Sequence, residues 1–318
     1  MLLNSFSVKS RFPTAAPPAR DGPTATKPPK TPTDHVVLYE VLISSLSEVE
    51  VTMLCISNSL IRSRSQFAPR AFALGNRTRY TTQQGNQLVS MGTKTNITLY
   101  TASTPNGIKV PILLEELGLE YKLHPVQIMD NEQKQPWFLE INPNGRIPAI
   151  TDTWTDGEQI RIFESGAVLE YLVDRYDKDY KVSYPKDSRE HWEVKSWLMW
   201  QMGGLGPMQG QLEHFRRYAA EKIEYSINRY DKETRRLYRT METHLAKSPC
   251  GFLVGDRVTV ADIACWGWVS SHTSDGVSLD EFPQLEKWLY KLLERPGFEK
   301  GRHVPKRHTA FDKEKSSE

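Results

Sequence analysis

Between residues 95 and 180 the apolar pattern runs strand, helix, strand, loop, strand, strand, helix, an order few folds accommodate. Residues 96–100 (NITLY) predict a short buried strand, and 101–106 a turn. An amphipathic helix follows, with Val110, Leu113, Leu114 and Leu117 on one face and Gly118 as its stop. Pro111 fits that helix only if it begins near Asn106 and Gly107, which leaves the proline in the first turns where few N–H partners are lost. Residues 121–127 predict a second strand. After a polar loop come INPNGRIPAI (141–150), a strand at 161–163 and a helix over 165–176.

One crossover helix followed by a hairpin and a second helix makes a thioredoxin-like α/β layer. The rest of the ordered pattern is helical. Residues 188–215 predict one long helix or a helix pair, with Trp192, Trp197 and Trp200 at near-helical spacing. The glycines at 203, 204, 206 and 210, with Pro207, kink it or admit another backbone. Residues 225–245 predict an amphipathic helix whose charged face carries Arg229, Lys232, Arg235, Arg236 and Arg239. Thr259-Val260-Ala261-Asp262 spells a capping box, which makes Asp262 structural. Cys265, inside IACWGWV, reads as a buried hydrophobe. The expected fold class is therefore an α/β thioredoxin-like N-terminal domain followed by an all-α helical-bundle C-terminal domain. The expected divisions are an extension at 1–94, the α/β domain at 95–180, the helical domain at 187–303 and a loose tail at 304–318.

Composition separates the extension from the rest. Residues 1–90 carry ten Lys/Arg against five Asp/Glu, whereas 91–318 carry 31 against 34, and all eight Trp follow residue 136. Residues 12–33 are rich in Pro, Thr and Ala and have almost nothing to bury, so disorder is expected there. Residues 53–90 hold five arginines and no acid, the composition of a mitochondrial presequence opening at Met53, with Met91 as a second start. A cytoplasmic protein started at Met91, with a possible mitochondrial form started at Met53, is one reading; a basic disordered tail, or upstream sequence wrongly joined to the gene, is the other. The overall charge of +2 gives no basic field for nucleic acid. The apolar stretch 35–61 is broken by Glu40, Glu48 and Glu50, so no membrane span is expected. Three cysteines without a CxxC, and histidines without metal-ligand spacing, argue against a disulfide framework and against a metal.

LYTASTPNGIKVPILLEELGLEY, INPNGRIPAI and FESGAVLEYLVDRY resemble the N-terminal domain of glutathione transferases. STPNG (103–107), WQMGGLGPMQGQ (200–211), HFRRY (214–218) and INRYDKETRRLY (227–238) are similar to the nu class and the yeast nitrogen-catabolite-regulator branch of that superfamily. The resemblance covers about residues 95–300. It implies the glutathione transferase fold, glutathione as co-substrate, a homodimer, and a cleft between domains bordered by Met208 and His214. It also implies that Ile147-Pro148 is a cis junction whose preceding backbone N–H and C=O pair with the cysteine of the tripeptide; the alternative is a trans turn proline. Gln133 falls where the family places a polar contact to glutathione.

The residues carry their own reading beside this. Glu164 accepts an ammonium, and Ser165 at a helix start offers N–H groups to a carboxylate, so together they suit one α-amino acid head group. Ser165 is equally a good N-cap. Arg146 suits a glycyl carboxylate, a nearby acid or open solvent. The turn at 103–107 lacks cysteine, which argues against an enzyme mixed disulfide. By resemblance, Thr104 and Asn106 sit at the reacting sulfur. A hydroxyl, an amide N–H₂ and a helix N-terminus each favour the thiolate, making Thr104 and Asn106 stabilisers and not bases. Asn106 is alternatively an N-cap. The expected function is a glutathione-dependent transferase or disulfide-bond oxidoreductase acting on a small electrophile, disulfide or peroxide. The alternatives are a regulatory binding protein of the same fold, a secondary-metabolite transferase and a structural subunit.

Overall fold

Two antiparallel joins and one parallel join build the sheet. The computed structural model describes residues 92–311. The expectations for the extension up to residue 91, and for 312–318, lie outside them. Strands β1 (Thr98–Thr101), β2 (Lys122–Pro125), β3 (Ala149–Thr153) and β4 (Gln159–Phe163) are ordered β2-β1-β3-β4. β1 and β2 are parallel, so a crossover must join them, and helix α1 (Lys109–Leu117) is that crossover. β3 runs antiparallel to β1 and to β4.

The register sorts the side chains by period two. Leu99 opposes Ile150, and Ile150 opposes Ile162, all facing the main core with α1 and with helix α3 (Ser165–Tyr176). Tyr100, Ala149 and Phe163 form the adjacent row and face a smaller core capped by Phe138 of the short helix α2 (Pro136–Leu139). Helix α1 buries Val110, Leu113, Leu114 and Leu117 and ends at Gly118, whose φ of 66° lets the Leu119 N–H return to the Leu114 carbonyl.

The start of α1 differs from expectation. Residues 104–107 form a separate hydrogen-bonded turn, in which the Gly107 N–H donates to Thr104 Oγ1 at 3.0 Å and the Ile108 N–H to the Thr104 carbonyl at 3.1 Å. The helix begins at Lys109, and Pro111 becomes its third residue, where a missing N–H costs nothing.

The helical half comprises α4 (Arg189–Trp200), α5 (Gly206–Glu213), α6 (Glu224–Leu245), α7 (Val260–Val269), α8 (Pro283–Leu293) and α9 (Pro296–Gly301). π-helical turns at Gln201–Leu205 and His214–Tyr218 flank α5. The expected approach of another backbone is corrected: Gly206 and Gly210 make room for a side chain, the ring of Trp268. Helix α7 is buried along its whole length and opens with the capping box of Thr259 and Asp262. Helix α9 packs on α1, where Gly301 meets the backbone of Ile112 and Arg295 pairs with Glu116 at 2.6 Å.

The loose tail expected from residue 304 is corrected as far as residue 311. Phe311 closes over Trp266 at 6.0 Å between ring centroids, Arg302 donates to the His308 carbonyl, and Ser103 Oγ bonds the backbone of Lys306. A fully buried tryptophan needs an apolar cover, and one phenylalanine in a polar stretch supplies it.

Candidate functional site

One edge of the sheet gathers the chemistry. The end of β1, the start of β3 and the end of β4 lie side by side, because Tyr100 opposes Ala149 and Ala149 opposes Phe163. The register thus brings together the turn after Thr101, the junction Ile147-Pro148 and the pair Glu164-Ser165.

The turn is tightly specified. The buried Thr101 hydroxyl donates to the Gly107 carbonyl at 2.8 Å. A Cβ at position 107 would collide with the Ala102 carbonyl and with that hydroxyl, so only glycine fits. Thr104 Oγ1 accepts the Gly107 N–H, which leaves its proton to donate elsewhere. Asn106 Oδ1 accepts the indole N–H of Trp268 at 2.9 Å. The reading of Asn106 as an N-cap is therefore corrected: Ile108 precedes α1 without a side-chain cap, and the hydroxyl of Thr104 satisfies the turn.

Ile147-Pro148 is cis. Among the described residues, neither the N–H nor the carbonyl of Ile147 has a hydrogen-bond partner. Asn142 shapes the approach to it by donating to the Arg146 carbonyl at 2.7 Å. The Arg146 side chain is exposed and forms no ion pair among the described residues, which removes the reading that pairs it with a nearby acid. Gln133 donates to the Ile128 carbonyl at 3.3 Å, while its Oε1 is buried without a partner. A buried amide oxygen left this way invites a donor. Gly145, just ahead of Arg146, lies against the backbone of Gln133 and joins that loop to the junction.

Glu164 has φ 68° and ψ 119°, a conformation that disfavours any side chain. It, and not Ser165, is the residue preceding α3, which corrects the N-cap reading of Ser165. The first turn of α3 consequently keeps N–H groups available at Ser165. The Ser165 hydroxyl lies 3.4 Å from Lys109 Nζ and 3.5 Å from Met202 Sδ.

Lys109 did not stand out in the sequence as a site residue. It is fully buried, and its ammonium donates to Gln201 Oε1 at 2.7 Å. Burial pulls its pKa down to about 7, opposed by Cys265 and Glu164. A lysine among apolar residues directly after a turn was the available signal, since lysines are almost never buried unpaired. Cys265 is buried as expected, and burial pushes its thiol far up and keeps it inert. The titration of Lys109 has a measurable consequence. Its folded pKa lies below its ordinary 10.5. The unfolded chain thus binds the extra proton, and stability rises from pH 7 to pH 9 by roughly 1 kcal/mol per unit. Urea midpoints at the two pH values should show this rise in the native protein and lose it in Lys109→Met; an equal rise in both removes Lys109 as its source.

Among the described residues no His, Cys, Asp and Glu side chains are grouped to hold a metal ion, and no helix is long and apolar enough to cross a membrane. Met208, expected at the cleft, lines an open groove with Tyr225, Arg229 and Tyr230.

The chain matches two family models, the N-terminal domain of glutathione S-transferase over residues 95–174 and its C-terminal domain over 204–296. It is 42% identical over 202 residues to the disulfide-bond oxidoreductase YfcG of Escherichia coli (strain K12), which spans 63% of this chain and 91% of that protein. It is 33% identical over 227 residues to the transcriptional regulator URE2 of Saccharomyces cerevisiae, spanning 61% and 64% of the two chains. Among solved structures, a glutathione transferase homolog from Lodderomyces elongisporus with two GSH per subunit superposes with a TM-score of 0.64 at 42% identity, over 66% of this chain and 99% of that one. The glutathione transferase URE2P6 from Phanerochaete chrysosporium in complex with oxidized glutathione gives 0.61 at 40% identity, over 65% and 94%.

Proposed function

The chain belongs to the glutathione S-transferase family, and from that premise we propose that it binds glutathione along the sheet edge and uses its thiolate to reduce disulfides. The observation that carries this reading is the meeting of a cysteine-free Thr-Pro-Asn-Gly turn with the unpaired backbone of Ile147 and the start of α3. The name of the Escherichia coli relative supports the choice of disulfide chemistry.

Each residue has a role in this reading. The N–H and carbonyl of Ile147 pair with the backbone of the cysteinyl residue. Glu164 takes the ammonium of the γ-glutamyl group. Ser165 and the N–H groups of α3 take its carboxylate, above the buried amine of Lys109. Gln133 Oε1 accepts an N–H of the tripeptide, and Arg146 meets the glycyl carboxylate. Thr104 and Asn106 donate to the sulfur, which favours the thiolate over the thiol.

The step then balances without an enzyme cysteine. The thiolate attacks one sulfur of a substrate disulfide, forming a mixed disulfide and releasing a thiolate that takes a proton from solvent. A second glutathione attacks the glutathione sulfur of that intermediate. Two glutathiones are oxidised to one glutathione disulfide, and the substrate gains both electrons. The same thiolate serves for attack on an electrophile or a peroxide. Trp192 and Met199, exposed on α4, support pairing of two copies.

Titrating the thiolate absorbance of bound glutathione tests the reading. The ordinary thiol value of ~8.5 should fall by about two units in the native protein, and Asn106→Ala should give back about one of them. Absence of binding heat with reduced or oxidised glutathione overturns the proposal. The likeness to the regulator URE2 favours a second reading, a protein-binding role. That reading gains ground if glutathione binds but a mixed disulfide, an aryl halide and a hydroperoxide all go without turnover.

A further inference from the structure

We propose that Trp268 is a positioning residue that sets the orientation of the Asn106 amide and so makes it a dedicated donor toward the reacting sulfur. This rests on the function proposed above and adds to it a residue 162 positions away from Asn106 in the sequence.

An asparagine amide is ambidentate, with an acceptor on one side and two donors on the other. Facing the cleft with its oxygen, Asn106 would repel a thiolate; facing it with its NH₂, it stabilises one. Nothing within the turn itself selects between these orientations. The indole nitrogen of Trp268 does, because it is donor-only. Its N–H lies 2.9 Å from Oδ1. Rotating the amide by half a turn would set an NH₂ against an N–H, losing the bond and opposing two donors. With the oxygen held by Trp268, the NH₂ must point away from the indole.

This selection works only if the indole itself is fixed. Trp268 is nearly fully buried, and Gly206 and Gly210 of α5 leave it a slot that a Cβ at either position would narrow to 3.0 Å. Its carbonyl accepts from Gln209 Nε2 at 2.8 Å. The same nitrogen donates to Asp275 Oδ2 at 2.6 Å, and Gln209 Oε1 accepts from the Tyr238 hydroxyl at 3.1 Å. The Gln209 amide is thereby oriented as well, and the network is buried throughout. The adjacent Gly267 admits the Pro105 carbonyl, where any Cβ would collide with it. The turn is thus seated on α7 by two consecutive residues, one giving space and the other direction.

The test compares the native protein, Trp268→Phe, Asn106→Ala and the double variant. In each, the thiolate titration of bound glutathione is recorded, together with calorimetric affinity at pH 9.5. Lys109, Glu164, Cys265 and Asp275, the titratable groups on the neighbouring elements, are common to all four, so their contributions cancel in the comparison. Trp268→Phe should raise the thiolate pKa by about one unit, a roughly tenfold loss of thiolate well below that pKa. The same substitution should cause no further rise in the Asn106→Ala background, and at pH 9.5 affinity should change by less than about threefold. If Trp268→Phe does not fold, a benzothienyl analogue of tryptophan at position 268 removes only the N–H and answers the same question. No shift with glutathione bound overturns the inference, and so does an equal shift in the absence of Asn106. A native protein that binds no glutathione overturns the binding reading itself, which distinguishes the two failures.

Discussion

Asp262→Ala is expected to lower the free energy of unfolding by about 3–5 kcal/mol, read from urea midpoints. The carboxylate is fully buried, and burial holds its pKa above the usual range. Oδ1 accepts the Leu253 N–H and the Trp288 indole N–H, each at 2.9 Å. Oδ2 accepts the Thr259 N–H at 2.9 Å and the Thr259 hydroxyl at 3.0 Å. Alanine leaves all these donors without an acceptor in a dry interior, whereas an ordinary helix cap costs only about 1–2 kcal/mol. Through them one side chain ties the segment before α7 to α7 and α8. Because α7 also seats the turn, partial loss of glutathione affinity should accompany the loss of stability. A change under about 1 kcal/mol would show that the network is not cooperative.

Glu164 carries the second large effect. Glu164→Gln keeps the size of the side chain and removes its charge, so KM for glutathione should rise about 10–100-fold, the equivalent of one charge-assisted hydrogen bond. Its backbone adds an independent handle. A non-glycine residue at φ 68° is strained, at a cost on the order of 1–3 kcal/mol. Glu164→Gly should therefore lose binding as severely while gaining about 1 kcal/mol in stability. Steady-state kinetics and thermal melts on the two variants would separate the effects. An unchanged KM in both would remove Glu164 from the binding of the ammonium.

What the sequence disclosed follows the range of the forces involved. The helix over 165–176 coincides with α3, and the Thr259–Asp262 box is present, because both signals are local: an apolar face and a cap within one turn. The strand expected at 121–127 shrank to Lys122–Pro125, since apolar content continues past the point where pairing with β1 stops. The ends of the site were legible as motifs, and strand register then placed them side by side. The partners that hold the site were not legible. Trp268 and Gln201 reach Asn106 and Lys109 across 162 and 92 residues, and no periodicity encodes such pairs. The two N-cap readings failed for a related reason. Ser165 is already the first residue of α3, one position past the cap at Glu164, and Asn106 gives its oxygen to a distant indole.

The burial of Lys109 between Ser165 and Gln201 bears on how such proteins can be recombined. The two halves look like interchangeable modules joined in series, yet an amine from the first is solvated by an amide from the second. A chimera that imported the α/β half alone would strand that amine in hydrocarbon and leave the turn without its seat on α7. Crossover points that respect the fold must therefore carry positions 201 and 268 along with 106 and 109, so the heritable unit is a set of scattered side chains and not a contiguous stretch of gene.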